Sequence, residues 1–433
     1  MSAIDQLLDH IPIPPVTEVR QYFEDAHLED PEASTRQAVE KTGGLGGLRR
    51  GRSVALAVGS RGIAELPALV RGVVSAVKAA GAEPFVVPAM GSHGGATPEG
   101  QAEILAGLGI TKEAVGAPIR ATMDTVELGT SEGGLPVHID RHAAEADAII
   151  LINRIHPHPA YRGAYESGLM KMIAIGLGKL TGANICHDLG FGVMDKNIAD
   201  IANTCLAKKN ILCGVAVLEN AYHQIYSVEA VPGREIPVRE RDLLKRAMEL
   251  EARFYFAQFD VLIMEEIGKN IAGSGFDTNI VGRYSTPFIS GGPSITKMSI
   301  LDVTDVSHGN CMGVGMADFT TRRLFDTFSF ENTYPNSLTA TVQGGVKIPM
   351  VLKNDKQAIQ AAIKSCNIPD KSKVRLVWLK NTLDIGRIRV SEPLLQEVRA
   401  HKNMKVVGES QEIVFDREGN VTAIGPEPQT GNR

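Results

Sequence analysis

The stretch SVALAVGSRGIAELPALVRGVVSAVKAAGAEPFVVPAMGSHGG, residues 53–95, decides the fold. It opens with the apolar run Ser53–Val58, which is short enough for a buried strand. Residues 65–80 then repeat apolar side chains every three or four positions, the period of a helix, and Gly81 follows as a C-cap. Pro84–Pro88 is a second apolar run. Strand, loop, helix and strand in this order predict a parallel α/β sheet.

The same alternation continues through the rest of the chain. A helix is predicted to start at Thr97-Pro98-Glu99, which combines an N-cap residue with a proline in the first turn. Ala148–Asn153 and Phe259–Met264 are further apolar runs that predict strands. A chain of 433 residues is long enough for two or three domains. We place one boundary after a long helical stretch, which gives an N-terminal α/β domain of residues 1–255 and a C-terminal α/β domain of residues 256–433.

Charge and cysteine usage exclude several classes of protein. The 45 Lys and Arg residues are outnumbered by 50 Asp and Glu residues, whereas a general nucleic-acid binder normally carries a basic surface. The five cysteines form no CxxC pair, so neither a disulfide framework nor a zinc ribbon is expected. The N-terminus lacks the pattern of a signal peptide, and no apolar run is long enough to cross a bilayer. We therefore expect a cytoplasmic protein without a nucleic-acid or membrane partner.

The common nucleotide and hydrolase motifs do not occur. No GxGxxG follows the first predicted strand, which disfavours a dinucleotide site. Residues 176–179, GLGK, are only a fragment of the phosphate-binding GxxxxGK[ST] motif. HExxH, an EF-hand loop and GxSxG are also missing. These absences remove several large enzyme classes without pointing to another.

Two loops that follow predicted strands carry residues capable of chemistry. Ser60-Arg61-Gly62 lies before a helix N-terminus, where free backbone N–H groups favour an anion, although a capped turn with a surface arginine has the same pattern. Ser92-His93-Gly94-Gly95 places a histidine between glycines that let the backbone approach a ligand closely. His93 is a candidate acid or base, or simply a polar surface residue. Both loops belong to the edge of the sheet where open α/β proteins bind ligands.

A third group of candidates lies between residues 156 and 188. His156-Pro157-His158 follows a predicted strand, and His158, further into the loop, is the better acid or base candidate. Lys171 has apolar neighbours, and desolvation there would lower its pKa and make it a nucleophile, whereas an amphipathic helix with a snorkelling lysine is the alternative. His187, sixteen residues further on, is a candidate metal ligand that Asp188 could orient.

Together and in this order, these segments resemble the lactate racemase family, the racemases and epimerases of 2-hydroxy acids that depend on a nickel-pincer nucleotide. The resemblance consists of a strand followed by SRG and a helix, the glycine-flanked SH loop, the PH pair followed by ESGLMKMIAIG, and a histidine sixteen residues after the lysine. Gly275–Arg283 resembles a loop at the start of the family's second domain. The likeness extends over nearly the whole chain.

The resemblance implies a fold, a cofactor and a site. The fold would be two α/β domains with mainly parallel sheets and the active site in the interdomain cleft, the N-terminal domain binding the cofactor and the C-terminal domain closing over the substrate. The cofactor would be pyridinium-3,5-bisthiocarboxylic acid mononucleotide nickel, covalently attached to Lys171. His187 would bind the nickel, and His93 and His158 would be the paired acid and base in a reaction that moves hydride to and from the cofactor. Ser60, Arg61 and Gly62 would lie by the cofactor, and Arg61 also by the substrate carboxylate.

The sequence departs from lactate racemase where substrate should be held. Lactate racemase has an acidic residue three positions before the arginine that matches Arg61, and here that position is Val58. The stretch between His158 and Lys171 is longer than in lactate racemase. Either His158 or Tyr161 could therefore align with the family's acid–base histidine, and we choose His158. Substrate contacts are expected from Lys269, Asn279 and Arg283, although these residues could equally brace the interdomain loop. Trp378 either lines the cleft or belongs to a core. No role is evident for His156 or His308.

These differences favour a 2-hydroxy acid other than lactate. Two alternatives stay open from the residues alone. One is a zinc-type hydrolase or lyase that uses His93, His158 and His187, and the other is a non-catalytic relative that binds the cofactor. Expected partners are the small-molecule substrate and the enzymes that synthesise the cofactor, with a homo-oligomer possible.

Overall fold

The computed structural model of the chain describes residues 2–60 and 62–424. Within these residues the strands are β1 Val16–Gln21, β2 Ser53–Val58, β3 Glu83–Pro88, β4 Thr125–Thr130, β5 Pro136–Asp140, β6 Ala148–Arg154, β7 Ile211–Glu219, β8 Ile225–Pro232, β9 Gln258–Ile267, β10 Ser294–Val303, β11 Phe319–Thr321, β12 Met350–Leu352, β13 Leu376–Leu379, β14 Arg387–Ser391, β15 Met404–Gln411, β16 Ile413–Phe415 and β17 Val421–Ile424. The α-helices are α1 Ala3–Leu8, α2 Pro31–Lys41, α3 Leu66–Ala79, α4 Pro98–Gly107, α5 Lys112–Val115, α6 Arg141–Glu145, α7 Leu169–Lys171, α8 Lys179–His187, α9 Met194–Lys208, α10 Ile236–Leu250, α11 Thr278–Val281, α12 Arg322–Thr327, α13 Phe330–Thr339, α14 Asp355–Ser365 and α15 Leu395–Ala400. A π-helical turn, Met172–Gly176, follows α7 directly.

The chain divides into two compact units, each with its own sheet. The N-terminal unit is Glu24–Glu251, and the C-terminal unit combines the described residues up to Phe23 with those from Ala252 onward. Both sheets are mainly parallel and both units alternate strands with helices. The predicted fold class, two α/β domains with mainly parallel sheets, is therefore confirmed.

The sheet of the N-terminal unit has the order β3-β2-β6-β7-β8, with only β8 antiparallel to its neighbour. Its central strand β2 is the predicted Ser53–Val58, and the residues from Val54 to Val58 are fully buried, as a strand covered on both faces requires. Val58 is level with Pro88 of β3 and Ile152 of β6. Because these three strands run parallel and end together, the loops that follow them leave from one edge of the sheet.

The sheet of the C-terminal unit has the order β12-β11-β10-β9-β13-β14-β1-β15. Strands β12 to β13 in this order are parallel, and β14, β1 and β15 are antiparallel to their neighbours. Trp378 on β13 is fully buried, and its indole N–H donates to Glu265 Oε1 at 2.6 Å. Of the two alternatives for this residue, the structure selects the core.

The first residues of the chain belong to the C-terminal sheet. The sequence predicts one domain for residues 1–255, but β1 pairs with β14 on one side and β15 on the other. The division between the units falls after Phe23 and again after Glu251. The predicted assignment of residues 1–23 is therefore wrong, because a strand is placed by its hydrogen-bonding partners and these are nearly 400 residues away along the chain.

No single helix in the described part of the chain is long and apolar enough to span a bilayer. The helical segments Leu169–Gly176 and Lys179–His187 reach the required length and apolarity only when taken together, and they are bent by 107° relative to each other.

Candidate functional site

The loops after β2 and β3 bring Ser60 and His93 together. A hydrogen bond joins Ser60 Oγ to His93 Nδ1, and the tautomer of the ring decides which of them donates. His93 is an exposed residue. Gly62 lies in the same β2–α3 loop, and Arg61 lies outside the described residues. The two loops that the sequence singled out separately thus meet at one edge of the sheet.

The backbone of the His93 loop has an unusual conformation. Gly91, Gly94, Gly95 and Ala96 have φ values of 61°, 67°, 63° and 54°. Such left-handed residues in close succession are accessible to glycine but costly for other residues. At Gly94 a Cβ atom would lie 2.5 Å from the carbonyl carbon of Gly100, so the loop also needs glycine for its close approach to α4.

The third loop, after β6, uses its two histidines differently. His156 Nδ1 lies 2.6 Å from the Pro157 carbonyl oxygen, and its Nε2 lies 2.8 Å from Glu251 Oε1. Both partners are acceptors, so the ring of His156 is used to fix the loop. His158 is half-buried, and its Nδ1 accepts the backbone N–H of Ala160 at 3.1 Å. In the neutral form of His158 the proton therefore sits on Nε2.

Tyr161, the alternative to His158, is an interior residue. Its side chain is 1 % exposed, and its hydroxyl lies 3.2 Å and 3.1 Å from the carbonyl oxygens of Tyr165 and Glu166. The ring of His158 packs against that of Tyr161, with 4.5 Å between the centroids. Glu166, also buried, accepts the His158 backbone N–H at 2.6 Å. Tyr161 and Glu166 thus hold in place the segment that carries the partly exposed His158.

Lys171 lies near enough to His187 for its charge to act on the ring, although sixteen residues separate them along the chain. Lys171 ends α7 and lies at the start of the π-helical turn, an irregularity that often marks functional sites. Burial and, to a smaller extent, the positive charge of Lys171 together lower the pKa of His187 to about 4, against a small opposing effect of Asp188. The same lysine lies close enough to Cys186 to oppose the effect of burial, which raises the pKa of that thiol to about 12. At neutral pH Cys186 is thus a protonated, inert side chain.

A single aromatic ring connects His187 to His158. Phe191, in the turn after α8, lies 5.7 Å from the ring centroid of each histidine. The His93 loop reaches the same region through its backbone, because the Gly91 N–H donates to Gly176 O at 3.1 Å, at the end of the π-helical turn. The structure therefore brings the loops of His93 and His158 against the segment that carries Lys171 and His187.

The chemistry of His187 suits a metal. Its Nδ1 is buried and has no hydrogen-bond partner among the residues that the structure describes. A buried nitrogen without a partner costs free energy, which a metal bond would recover. The low pKa keeps the imidazole neutral, and only the neutral form has a lone pair for a metal. A lysine amine beside it can attach an organic group, so the residues present fit a lysine-bound organometallic cofactor.

Sequence reasoning missed two buried groups around this site. Glu240 on α10 accepts the Met170 N–H at 2.8 Å, and burial raises its pKa to about 7. The sequence pattern that could have identified Glu240 is a carboxylate on the apolar face of an amphipathic helix, in line with Leu243 and Leu244. Lys179 is fully buried against Asp140, with 2.9 Å between Nζ and Oδ2. In the sequence, Lys179 belongs to the GLGK segment, which resembles only a fragment of a phosphate-binding loop.

Of the three predicted substrate contacts in the C-terminal unit, Arg283 and Lys269 use their side chains within that unit, whereas the bond of Asn279 is made by its backbone N–H. Arg283 is paired with Asp318 at 2.9 Å and donates to the carbonyl oxygens of Met316 and Ile295. Lys269 Nζ donates to Gly273 O at 2.7 Å, and the Asn279 backbone N–H donates to Asp277 Oδ1 at the start of α11. These bonds explain the local structure without a substrate, and the substrate role of these residues stays a prediction. His308 is exposed at the end of a turn, with a φ of 48°.

Comparison with known proteins relates this site to one family. Residues 56–197 match the sequence model of the lactate racemase N-terminal domain. No curated protein matches the chain. Among solved structures, the lactate racemase apoprotein from Thermoanaerobacterium thermosaccharolyticum is 13% identical, with 84% of this chain and 88% of that chain covered and a TM-score of 0.44. The matched segment includes His93, His158, Lys171 and His187. The likeness to the lactate racemase N-terminal domain thus covers the segment that carries these four residues, and the rest of the chain lies outside that match.

Proposed function

We propose that the protein is a racemase or epimerase of a 2-hydroxy acid other than lactate, and that it works with a nickel-pincer nucleotide attached to Lys171. The observation that carries the proposal is the approach of Lys171 to His187, a neutral imidazole with a buried nitrogen that lacks a partner. The match of residues 56–197 to the lactate racemase N-terminal domain supports the same reaction class.

Holding the cofactor falls to residues of the N-terminal unit. Lys171 supplies the amine for the covalent link, and His187 supplies the protein ligand to nickel through its imidazole. Ser60, Arg61 and Gly62, before the N-terminus of α3, bind the phosphate end of the nucleotide with backbone and side-chain donors. When bound, the group supplies a centre that accepts and returns hydride, as cofactors commonly supply the difficult step.

The histidines of the chain handle the proton of the substrate hydroxyl. Inversion of a 2-hydroxy acid through its planar 2-oxo acid requires that this proton be taken on one face and returned on the other. The neutral ring of His158 presents an Nε2–H that can hydrogen-bond to the substrate oxygen, because its Nδ1 already accepts a backbone N–H. It can give up that proton as an acid only after Nδ1 has released the backbone N–H and taken up a proton, since the neutral ring would otherwise become an imidazolate. His93 bonds to Ser60 through Nδ1, so that its Nε2 is the basic nitrogen when Nδ1 carries the proton. Proton transfer to and from the substrate hydroxyl is thus shared by His93 and His158, which lie on two different loops.

The identity of the substrate differs from lactate in this proposal. Val58 replaces the acidic residue of lactate racemase, and Asp277-Thr278-Asn279 is followed by Val281, Gly282 and Arg283. Both changes occur where the substrate should be held. We therefore propose a bulkier or more polar 2-hydroxy acid, held at its carboxylate by a cation such as Arg61.

Intact mass and metal content of the natively produced protein test the proposal. The protein is produced together with cofactor-synthesis enzymes, and we expect one covalent adduct on Lys171 and about one nickel per chain. Lys171→Arg should lose the adduct, whereas Lys196→Arg, an exposed lysine of α9, should keep it. His187→Ala should retain an organic adduct and lose nickel. Bare polypeptide under these conditions overturns the proposal.

Turnover separates the catalytic proposal from its alternatives. His93→Gln and His158→Gln should keep the adduct and lose interconversion of 2-hydroxy acids, and turnover retained in both overturns their acid–base roles. Adduct without turnover on any 2-hydroxy acid or sugar acid would identify a non-catalytic cofactor-binding relative. Zinc with full activity and no adduct would identify a metal hydrolase or lyase instead.

A further inference from the structure

Lys179 is a charged residue with no access to solvent. Its side chain is 0 % exposed, and so is that of its partner Asp140. The ammonium also donates to Pro88 O at 2.5 Å and to Gln101 Oε1 at 3.0 Å. Lys179 has a φ of 56°, a left-handed conformation that is costly for a residue with a side chain. A position where glycine would fit the backbone better thus carries a lysine, which points to a requirement for its ammonium group.

The ammonium fixes the orientation of the Gln101 amide. A lysine can only donate, so the atom of Gln101 that faces it must be the oxygen. The amide nitrogen is then turned toward the His93 loop, where it donates to Gly91 O at 2.8 Å and to His93 O at 3.2 Å. Gln101 is itself 0 % exposed, so water does not compete for these bonds.

Asp140 is held in place independently of the lysine. Its Oδ1 accepts the Ala143 N–H at 2.9 Å as the N-cap of α6, and its own N–H donates to Leu177 O at 2.6 Å. The chain of contacts therefore runs from the end of β5 through Lys179 and Gln101 to the backbone of the His93 loop. The side chains of Asp140, Lys179 and Gln101 are all buried, and each one orients the next.

A buried ion pair is rarely the most stabilising choice at a site. Replacing such pairs by apolar residues is often neutral or favourable for stability, whereas removing only one partner is strongly destabilising. The value of this pair must then lie in the geometry that it imposes. The loop that it reaches has four left-handed residues between positions 91 and 96, and such a backbone holds its shape only when its surroundings determine it.

We propose that Asp140, Lys179 and Gln101 are positioning residues that hold the His93 loop and thereby fix the ring of His93 against Ser60. This inference rests on the proposed function for its catalytic meaning, because His93 is an acid–base residue only there. The restraint on the loop is a property of the protein without cofactor.

Gln101→Glu tests the arrangement in the cofactor-free protein. The carboxylate still accepts from Lys179, but its second oxygen faces the carbonyl oxygens of Gly91 and His93 and repels them. We expect the amide of Gly91, which is bonded to Gly176 O, to exchange with solvent at least about tenfold faster, the tenfold corresponding to about 1.4 kcal/mol of lost protection. The ring nitrogens of His93 should move in nitrogen-15 spectra from one tautomer toward the average of two.

Gln37→Glu, an exposed change on α2 of the same unit, should alter neither readout. If Gln101→Glu fails to fold, the double variant Lys179→Met with Asp140→Asn removes both charges together and should release the loop in the same two measurements. A folded variant with unchanged Gly91 exchange and unchanged His93 ring signals overturns the proposal. Neither readout uses the cofactor, so a missing adduct on Lys171 would defeat the proposed function and leave this result standing.

Discussion

His156 and His158, two residues apart on one loop, show how neighbouring identical side chains acquire different roles. The ring of His156 lies between the Pro157 carbonyl and the Glu251 carboxylate, both acceptors. The ring of His158 receives a backbone N–H on Nδ1 and stacks on Tyr161. Residues two apart on an extended segment share a face, so the different hydrogen bonding of the two rings is set by the partners that the fold places beside each of them.

This contrast predicts the tautomer of His158. Nitrogen-15 spectra of the cofactor-free protein should show its neutral ring as the Nε2–H tautomer, because Nδ1 accepts the Ala160 N–H. Ala160→Pro removes the N–H that His158 accepts and should move its signals toward the average of the two tautomers. An Nδ1–H signal for His158 in the unchanged protein would contradict the donor role that we give to its Nε2.

At the scale of single residues, the sequence indicates which side chains are capable of chemistry but does not indicate their hydrogen-bonding partners. His93, His158, Lys171 and His187 stand out because their chemistry and order resemble a known family. Tyr161 could not be separated from His158, because only the fold shows that its hydroxyl is used on the carbonyl oxygens of Tyr165 and Glu166.

At the scale of secondary structure, α7 is a short helix that depends on a distant carboxylate. It has only three residues, Leu169–Lys171, and a π-helical turn follows it. Glu240 on α10 accepts the N–H of Met170 and so holds the first turn. A Cβ atom at Gly168 would lie 2.2 Å from Glu240 Oε1, so the approach requires glycine there. The position of Lys171 is thus set partly from α10.

Glu240 should make the stability of the N-terminal unit depend on pH. Burial raises its pKa from 4.5 to about 7, so that between these values the folded protein keeps a proton which the unfolded chain releases. The free energy of unfolding should therefore fall as the pH rises from about 4.5 to 7, by on the order of 3 kcal/mol, and stay level above that. Urea denaturation followed across this range measures the effect.

Glu240→Gln separates this carboxylate from all others. The amide oxygen still accepts the Met170 N–H, and the group no longer ionises, so the variant should match the wild type near pH 5 and exceed its stability near pH 8. Glu249→Gln, an exposed change on the same helix, should keep the wild-type slope. Equal slopes for Glu240→Gln and the wild type would show that Glu240 is ionised in the folded protein throughout.

Sequence patterns identified long periodic or apolar elements well and short ones poorly. Ser53–Val58 matches β2, and the helix predicted over residues 65–80 is α3, Leu66–Ala79. The antiparallel pair β4 and β5 was not predicted, because β4 is only partly buried and has no clear alternation of apolar residues. The π-helical turn within 172–176 has the composition of an ordinary buried helix, MIAIG, so no local signal distinguishes it.

At the scale of the whole molecule, the domain assignment of the N-terminal segment is the clearest error of prediction from the sequence. β1 lies between β14 and β15, and Val19 on it packs in the core of the C-terminal unit together with Ile388 and Val390. No feature of residues 16–21 identifies a pairing strand so far away in the sequence, because any amphipathic strand of this length could join either sheet. Contiguity along the chain was the only guide, and here it pointed to the wrong unit.

A buried charge on β1 should therefore weaken the C-terminal unit and spare the N-terminal one. Val19 is 0 % exposed, and Val19→Asp would bury a carboxylate without a partner at a cost of about 3–5 kcal/mol. Hydrogen exchange read by mass spectrometry should lose protection in β9, β13 and β14, while β2 and β6 keep it. Val39→Asp is the matched change, since Val39 is also 0 % exposed and packs in the core of the N-terminal unit with Val73 and Val77. It should produce the reverse pattern, and loss of protection confined to β2 and β6 in Val19→Asp would return residues 1–23 to the N-terminal domain.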